Sequence, residues 1–421
     1  MYQVSDSAAL LRGHRRLLAR APSAPRVGRT VVLLGLTSLL TDVSSEMVVA
    51  VLPLYLVYIG GFTPLAFGLI DGLYQGAAAL VGLLSGFIGD RWRRHKDVAA
   101  TGYGLSAMCK LGFATLGTAV SAIGAITLVD RVGKGIRTAP RDAMISLSTP
   151  ERELGTAFGV HRAMDTTGAM LGPLVAFAIL AVAPLAFHSI FLVSFCVALV
   201  GLGVLVLFVQ QPRQTAPDAA ARPPSLRGAL ALARLPRYRA LLVAAAGLSL
   251  ATASDAFIFL GLRDKLGLGT SLFPLLFVGG SITYMLLSVP AGALADKVGR
   301  GRILLAGYGL LLGVYAVLLA PLHGALVLVV ALGLLGAYYA ATDGVLMALG
   351  STLVPAETRG SGLALLGTTT SIGRLLASLL FGALWTVWGI DTAFAVFGMA
   401  LVAAIALAAS VLMATRARRS P

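Results

Sequence analysis

Two short stretches, GFIGDRWRRHK (residues 86–96) and GALADKVGRGR (292–302), set the organisation of this chain. Each stands between two long apolar runs, and each places a glycine, an aspartate four residues on, and two basic residues after it. In the first copy these are Gly86, Asp90, Arg91 and Arg94; in the second they are Gly292, Asp296, Lys297 and Arg300. A second pair of landmarks, TPERELGTAFG (149–159) and VPAETRGSGLA (354–364), recurs at nearly the same distance downstream. Two matched landmarks at matched spacing point to a duplicated unit, a common plan for membrane carriers.

The apolar runs between the landmarks are of membrane-spanning length. The 421 residues are 57% hydrophobic and only 12% charged, against about 25% charged in a soluble domain. Crossing about 30 Å of hydrocarbon takes roughly 20 apolar residues, which predicts spans at 30–58, 65–88, 98–120, 122–147, 156–182 and 188–210. A second set follows at 239–261, 271–295, 302–320, 325–350, 361–386 and 392–414. The Pro-, Ala- and Arg-rich segment 211–238 divides them six and six and reads as a linker. The expected fold is an all-α membrane protein of twelve transmembrane helices in two pseudo-symmetric six-helix bundles, 30–210 and 239–414. A basic segment (1–29) precedes them and a short tail (415–421) follows.

The net charge of +15 lies in alternate loops, with Arg12, Arg15, Arg16 and Arg20 before the first span and Arg91, Arg93, Arg94 and Lys96 after the second. This is the positive-inside bias and not a nucleic-acid surface. It predicts a multi-pass protein of a bacterial-type inner (plasma) membrane with both termini cytoplasmic. The run from Thr30 to Tyr58 carries Asp42 and Glu46 and is too long for a cleaved signal core. Cys109 and Cys196 imply no disulfide framework.

Charges inside a bilayer are costly, so their positions carry information. Asp42 and Glu46 share a face of span 1; Asp165 lies on span 5, Asp255 on span 7 and Asp343 on span 10. These five acids are the candidates for proton coupling. Span 4 reads DRVGKGIRTAPRDA (130–143) and aligns Arg131, Lys134, Arg137 and Arg141 in one stripe. With Arg374 on span 11 they are candidates for holding an anionic solute group; alternatively, the stripe neutralises Asp42, Glu46, Asp142 and Asp165. His161 and Asp165, with Arg162, read as an ion-pair group near the headgroups. Lys110 and Asp71 read as structural.

These motifs resemble the major facilitator superfamily over nearly the whole chain. The loop after span 2 is similar to its GxxxDRxxRR element, with Trp92 where glycine is usual. Span 4 is similar to its RxxQG element, with Arg131 and Gly135 in place and Lys134 at the glutamine position. GVHRAMDTTGAMLGP (159–173) resembles the antiporter element of span 5 through Gly159, Gly168, Gly172 and Pro173, with Ala176 and Phe177 in place of its last paired glycines. The resemblance implies two six-helix bundles around a cavity lined by spans 1, 4, 7 and 10 and open to one side at a time. It implies a proton-transfer influence for Arg131. It also implies a conformational gate made of Gly86, Asp90, Arg91, Arg94, Asp296, Arg300, Gly168, Gly172 and Pro173.

The chain has no GxxxxGK[ST] loop, HExxH or CxxC, so no ATP site, metal, cofactor or enzyme activity is expected and an ion gradient is the expected energy source. The sequence thus predicts a monomeric secondary transporter working on a small solute and protons in a lipid bilayer. Efflux of an amphipathic or anionic compound by antiport is the leading reading. Proton symport importing an organic anion, and a solute sensor on a carrier scaffold, are the alternatives.

Overall fold

The computed structural model describes residues 28–77, 94–115, 117, 119–150, 153–211, 232–355 and 359–417. The first bundle contains α1 (Arg29–Leu54), α2 (64–77), α3 (His95–Thr115), α4 (Val120–Leu147), α5 (Leu154–Val182) and α6 (Phe187–Phe208). The second contains α7a (Pro236–Leu250), α7b (Asp255–Leu266), α8 (Pro274–Val298), α9 (Arg300–Leu319), α10 (Ala325–Ser351), α11 (Arg359–Trp388) and α12 (Ile390–Ala417). We call the end where α1 begins basal and the end where α1 turns into α2 apical.

Nine of these stretches are long and apolar enough to cross a membrane, among the described residues. The others are α2, described only in part, and α3 and α4, which carry their charge inward. Many large apolar side chains remain exposed, among them Leu207, Val289 and Trp388, a surface suited to lipid and not to water. Packing repeats between the halves: α1 on α5 and α6, and α3 on α4 and α6, are matched by α7a on α11 and α12, and α9 on α10 and α12. The duplication read from the loop motifs is therefore present in the packing.

Two spans depart from the expected continuous helices. Span 1 carries Pro53, whose missing N–H weakens the ladder, and it widens into a π-helical turn at Tyr55–Ile59. Span 7, predicted as one helix, breaks between Leu250 and Asp255. The break is held by Tyr315 of α9, whose hydroxyl accepts a hydrogen bond from the Ala253 N–H at 2.7 Å. Irregular backbone at membrane depth persists where such partners satisfy it. Asp255 then opens α7b, where its negative charge meets the positive end of the helix dipole.

The bundles meet apically. Gly72 lies so close to α11 that a Cβ there would sit 2.8 Å from the Leu375 carbonyl oxygen, and Gly68 and Gly382 make closer approaches still. Tyr58 bonds to Asp264, Leu65 N–H donates to Thr386 at 2.9 Å, and Phe67 meets Phe257 edge-on. These contacts, with the hydrogen bond from Ser378 to Asp71, join α2 and the α1–α2 connection to α7b and α11.

Small residues also set the closest contact inside the first bundle. A Cβ at Gly172 of α5 would sit 2.7 Å from the Val43 carbonyl oxygen and 2.9 Å from the Met47 nitrogen of α1, and Gly168 abuts Leu39 in the same way. Gly172→Leu is expected to lower stability by about 1–3 kcal/mol, as overpacked cores do, read as a drop in the melting temperature of the purified protein. Gly159, one further motif glycine, has open space around it, so Gly159→Ala is expected to leave that temperature unchanged or raised.

Candidate functional site

The charged residues of the first bundle form a network behind α1. On α4, Asp130 takes an ion pair from Lys110 of α3 and another from its neighbour Arg131, while Ser106 donates to it at 2.5 Å; all three charged side chains are almost fully buried. Arg131 also stacks 3.8 Å over the ring of Tyr74 of α2. One turn and a half further on, Arg137 faces Asp42 of α1 at 3.7 Å and the Tyr103 ring at 4.6 Å. Near the basal end Arg141 joins Asp142 at 3.0 Å, Asp165 of α5 at 3.8 Å and Ser38 of α1 at 3.1 Å. The stripe thus contacts four other helices. The Lys134 side chain, in its middle, makes no hydrogen bond or ion pair among the described residues, and Asp42 and Glu46 are the acids whose charge acts on it.

In front of α1 lies a cavity of about 300 Å³ between the bundles. Its walls come from α1 (Glu46, Val49, Leu52), α2 (Phe67, Asp71, Tyr74, Gln75), α7b (Asp255) and α8 (Phe277, Ser281). A second space of about 120 Å³ adjoins it through Asp255, Phe277 and Ser281 and is closed by Tyr339 and Asp343 of α10. Asp255 accepts a hydrogen bond from Tyr339 at 2.7 Å. Asp343 faces Arg374 of α11, one of the proposed anion-holding cations, at 3.7 Å. Glu46 makes no hydrogen bond or ion pair among the described residues.

Several expectations need correction. Spans 1, 7 and 10 reach the cavity walls, but α4 lines neither space, and α2 and α8 take wall positions instead. The reason is that the α4 arginines are turned toward protein carboxylates. The His161 group does not reach toward headgroups: His161 is buried and its ring nitrogen meets Ser38 at 3.1 Å, although Arg162 is exposed. Asp71, read as structural, both lines the cavity and joins the bundles through a hydrogen bond from Ser378 of α11.

Gly86, Asp90 and Arg91 of the first gate element lie outside the described residues; Arg94 pairs with Asp97 at the exposed start of α3. In the second copy, Asp296 pairs with Arg300 at 2.8 Å, and Arg300 also donates to the Ala348 carbonyl near the end of α10 at 3.1 Å. That ties α8, α9 and α10 together at the basal end. Tyr74, Tyr339 and Ser378 escaped sequence reading. Tyr339 stands four residues before Asp343, a helical spacing that could have flagged it, whereas Ser378 is 307 positions from Asp71.

The network makes unequal demands on its members. Asp130 serves two cations and Lys110 only one acid, so Asp130→Asn is expected to cost more stability than Lys110→Met. Breaking a buried pair costs about 3–5 kcal/mol. Thermal unfolding of the two purified variants beside the parent protein checks the order.

The comparisons with known proteins agree with this architecture. The family model of the Major Facilitator Superfamily matches residues 34–280 and 256–421. An uncharacterized MFS-type transporter of Methanocaldococcus jannaschii is 32% identical over 369 residues, 86% of this chain and 89% of that one. Among solved structures, a variant of the nucleoside transporter NupG superposes with a TM-score of 0.77 at 15% identity, covering 91% of this chain and 100% of that one. The peptide transporter POT in complex with alafosfalin gives 0.73 at 16%, covering 96% and 98%. With two bundles of repeated packing around a cavity and a family match over nearly its full length, the chain belongs to the major facilitator superfamily and is a multi-pass membrane transporter of that type.

Proposed function

We propose that this transporter exports a small amphipathic solute in exchange for protons by alternating access, acting as a monomer in a bacterial plasma membrane with both termini cytoplasmic. With that orientation the apical contacts seal the outer face, and the cavity belongs to a state that receives solute from the cytoplasm. The observation that carries the reading is Glu46, a carboxylate in the cavity wall with no hydrogen-bond or ion-pair partner among the described residues. A charge held there out of bulk water has to be balanced by a proton or by the solute, and that choice is the elementary step of exchange.

The surroundings supply a route and a lever. Asp42 lies one turn below Glu46 on α1, where it faces Arg137 at 3.7 Å and the charge of Asp165 on α5 acts on it. Lys134 faces both Asp42 and Glu46 electrostatically, so it is placed to respond to the charge on either. Gly168 and Gly172 lock α5 onto the same stretch of α1, so a change of charge on α1 bears directly on the helix that carries the antiporter-like element. Asp255 and Asp343 provide acids on the opposite bundle, and Asp296 with Arg300 stiffens its basal end. An anionic solute is the weaker variant, because Arg131, Arg137 and Arg141 already face protein acids.

The test uses purified protein in liposomes with a trapped pH dye, challenged with pools of amphipathic cations, neutral compounds and organic anions. Proton movement opposite to the solute is expected, and Glu46→Gln is expected to abolish it without loss of folded protein. Proton movement in the same direction as the solute would establish symport instead. Full activity in the Glu46→Gln protein would remove that residue from the exchange.

A further inference from the structure

We propose that the cavity between the bundles binds a monovalent organic cation with an aromatic or bulky aliphatic body, using Glu46 and Asp255 as its counter-charges. The proposal deepens the exporter reading and rests on it for the solute's passage, but not for the binding itself. Three observations carry it.

The first is the sign of the wall. Every charged residue among the described lining is a carboxylate: Glu46, Asp71 and Asp255 in the larger space, Asp255 and Asp343 in the adjoining one. No lysine or arginine appears in either lining. The second is how these acids are occupied. Asp343 faces Arg374 and Asp71 is engaged by Ser378 across the bundle contact. Asp255 has a neutral partner in Tyr339, and Glu46 has none among the described residues. Two acids from opposite bundles therefore flank one space without an ion pair of their own.

The third is the rest of the wall. Phe67, Tyr74 and Phe277 face the larger space, and Phe259, Tyr284 and Tyr339 the smaller. Aromatic faces attract a cation and at the same time suit an apolar body. The space of about 300 Å³, with about 120 Å³ adjoining it, lies within the range for small-molecule sites, about 300–1,000 Å³. An anion of the same shape would meet carboxylates on both bundles, whereas Arg131, Arg137 and Arg141 of α4 face protein acids, and Lys134, though unpaired, lies outside both linings with its charge directed at Asp42 and Glu46.

The matched ions tetraphenylphosphonium and tetraphenylborate separate charge from shape. Equilibrium dialysis of the purified full chain in detergent, corrected for uptake by empty micelles, is expected to show saturable binding of the phosphonium and none of the borate. Glu46→Gln and Asp255→Asn, each verified as monodisperse and folded, are expected to weaken phosphonium binding by about tenfold or more, equivalent to about 1.4 kcal/mol. Saturable borate binding, no saturable binding of the phosphonium, or phosphonium binding unaltered in both variants would overturn the proposal. Phosphonium binding without any proton movement in liposomes would overturn coupled export and leave the cation site standing. Proton movement driven by organic anions alone would do the reverse.

Discussion

The first bundle depends on the pairing of α4's cations with acids inside the membrane. Each charge placed at the centre of a bilayer costs about 2.5–3.5 kcal/mol on insertion scales, and α4 carries six between Asp130 and Asp142. Asp130 gathers Lys110 and Arg131, Asp42 receives Arg137, and Asp165 with Asp142 receives Arg141. These pairs tie α4 to α1, α3 and α5, and the Tyr74 ring under Arg131 adds α2. Such pairs contribute less to net stability than to position, since desolvation offsets most of their attraction. Their effect is to fix which faces of α1 and α4 oppose each other.

That fixing gives one face of α1 two roles. Leu39, Val43 and the Cβ of Glu46 meet the glycine face of α5 at close distance. The Glu46 side chain also lines the cavity, and Asp42, one turn basal, faces Arg137. Charge at the cavity and the packing of α5 are therefore connected through one helix. On the other side of the cavity, the break in α7 places Asp255 at a helix start, where the backbone dipole and Tyr339 both steady a carboxylate. The bundles thus contribute one acid each from differently built supports.

Much of this was legible in the sequence, for physical reasons. Apolar length gave the spans, and the repeated Gly–Asp–basic landmarks gave the two-fold organisation that the helix pairings repeat. The rarity of membrane-buried charge singled out Asp42, Glu46, Asp255 and Asp343, all of which stand at or beside the cavity. Sequence could not divide the α4 stripe between binding and pairing, because that depends on which acids of other helices lie opposite each arginine. Nor could it say what Asp71, read as structural, holds. Its partner Ser378 sits on the other bundle, and nothing in either local pattern connects them. The break in span 7 was hidden for a related reason, since Leu250 to Asp255 contains no proline or glycine and the hydroxyl that supports the break comes from Tyr315.

In the proposed exchange, solute and proton compete for the same carboxylates in the cavity. The most direct measurement is proton release on ligand binding, made in weakly buffered detergent solution near neutral pH with a pH indicator and no membrane gradient. Tetraphenylphosphonium added to the native protein is predicted to release protons in saturable proportion to the ligand bound, and the Glu46→Gln protein to release measurably fewer. Saturable binding with no proton release across the neutral range would contradict it.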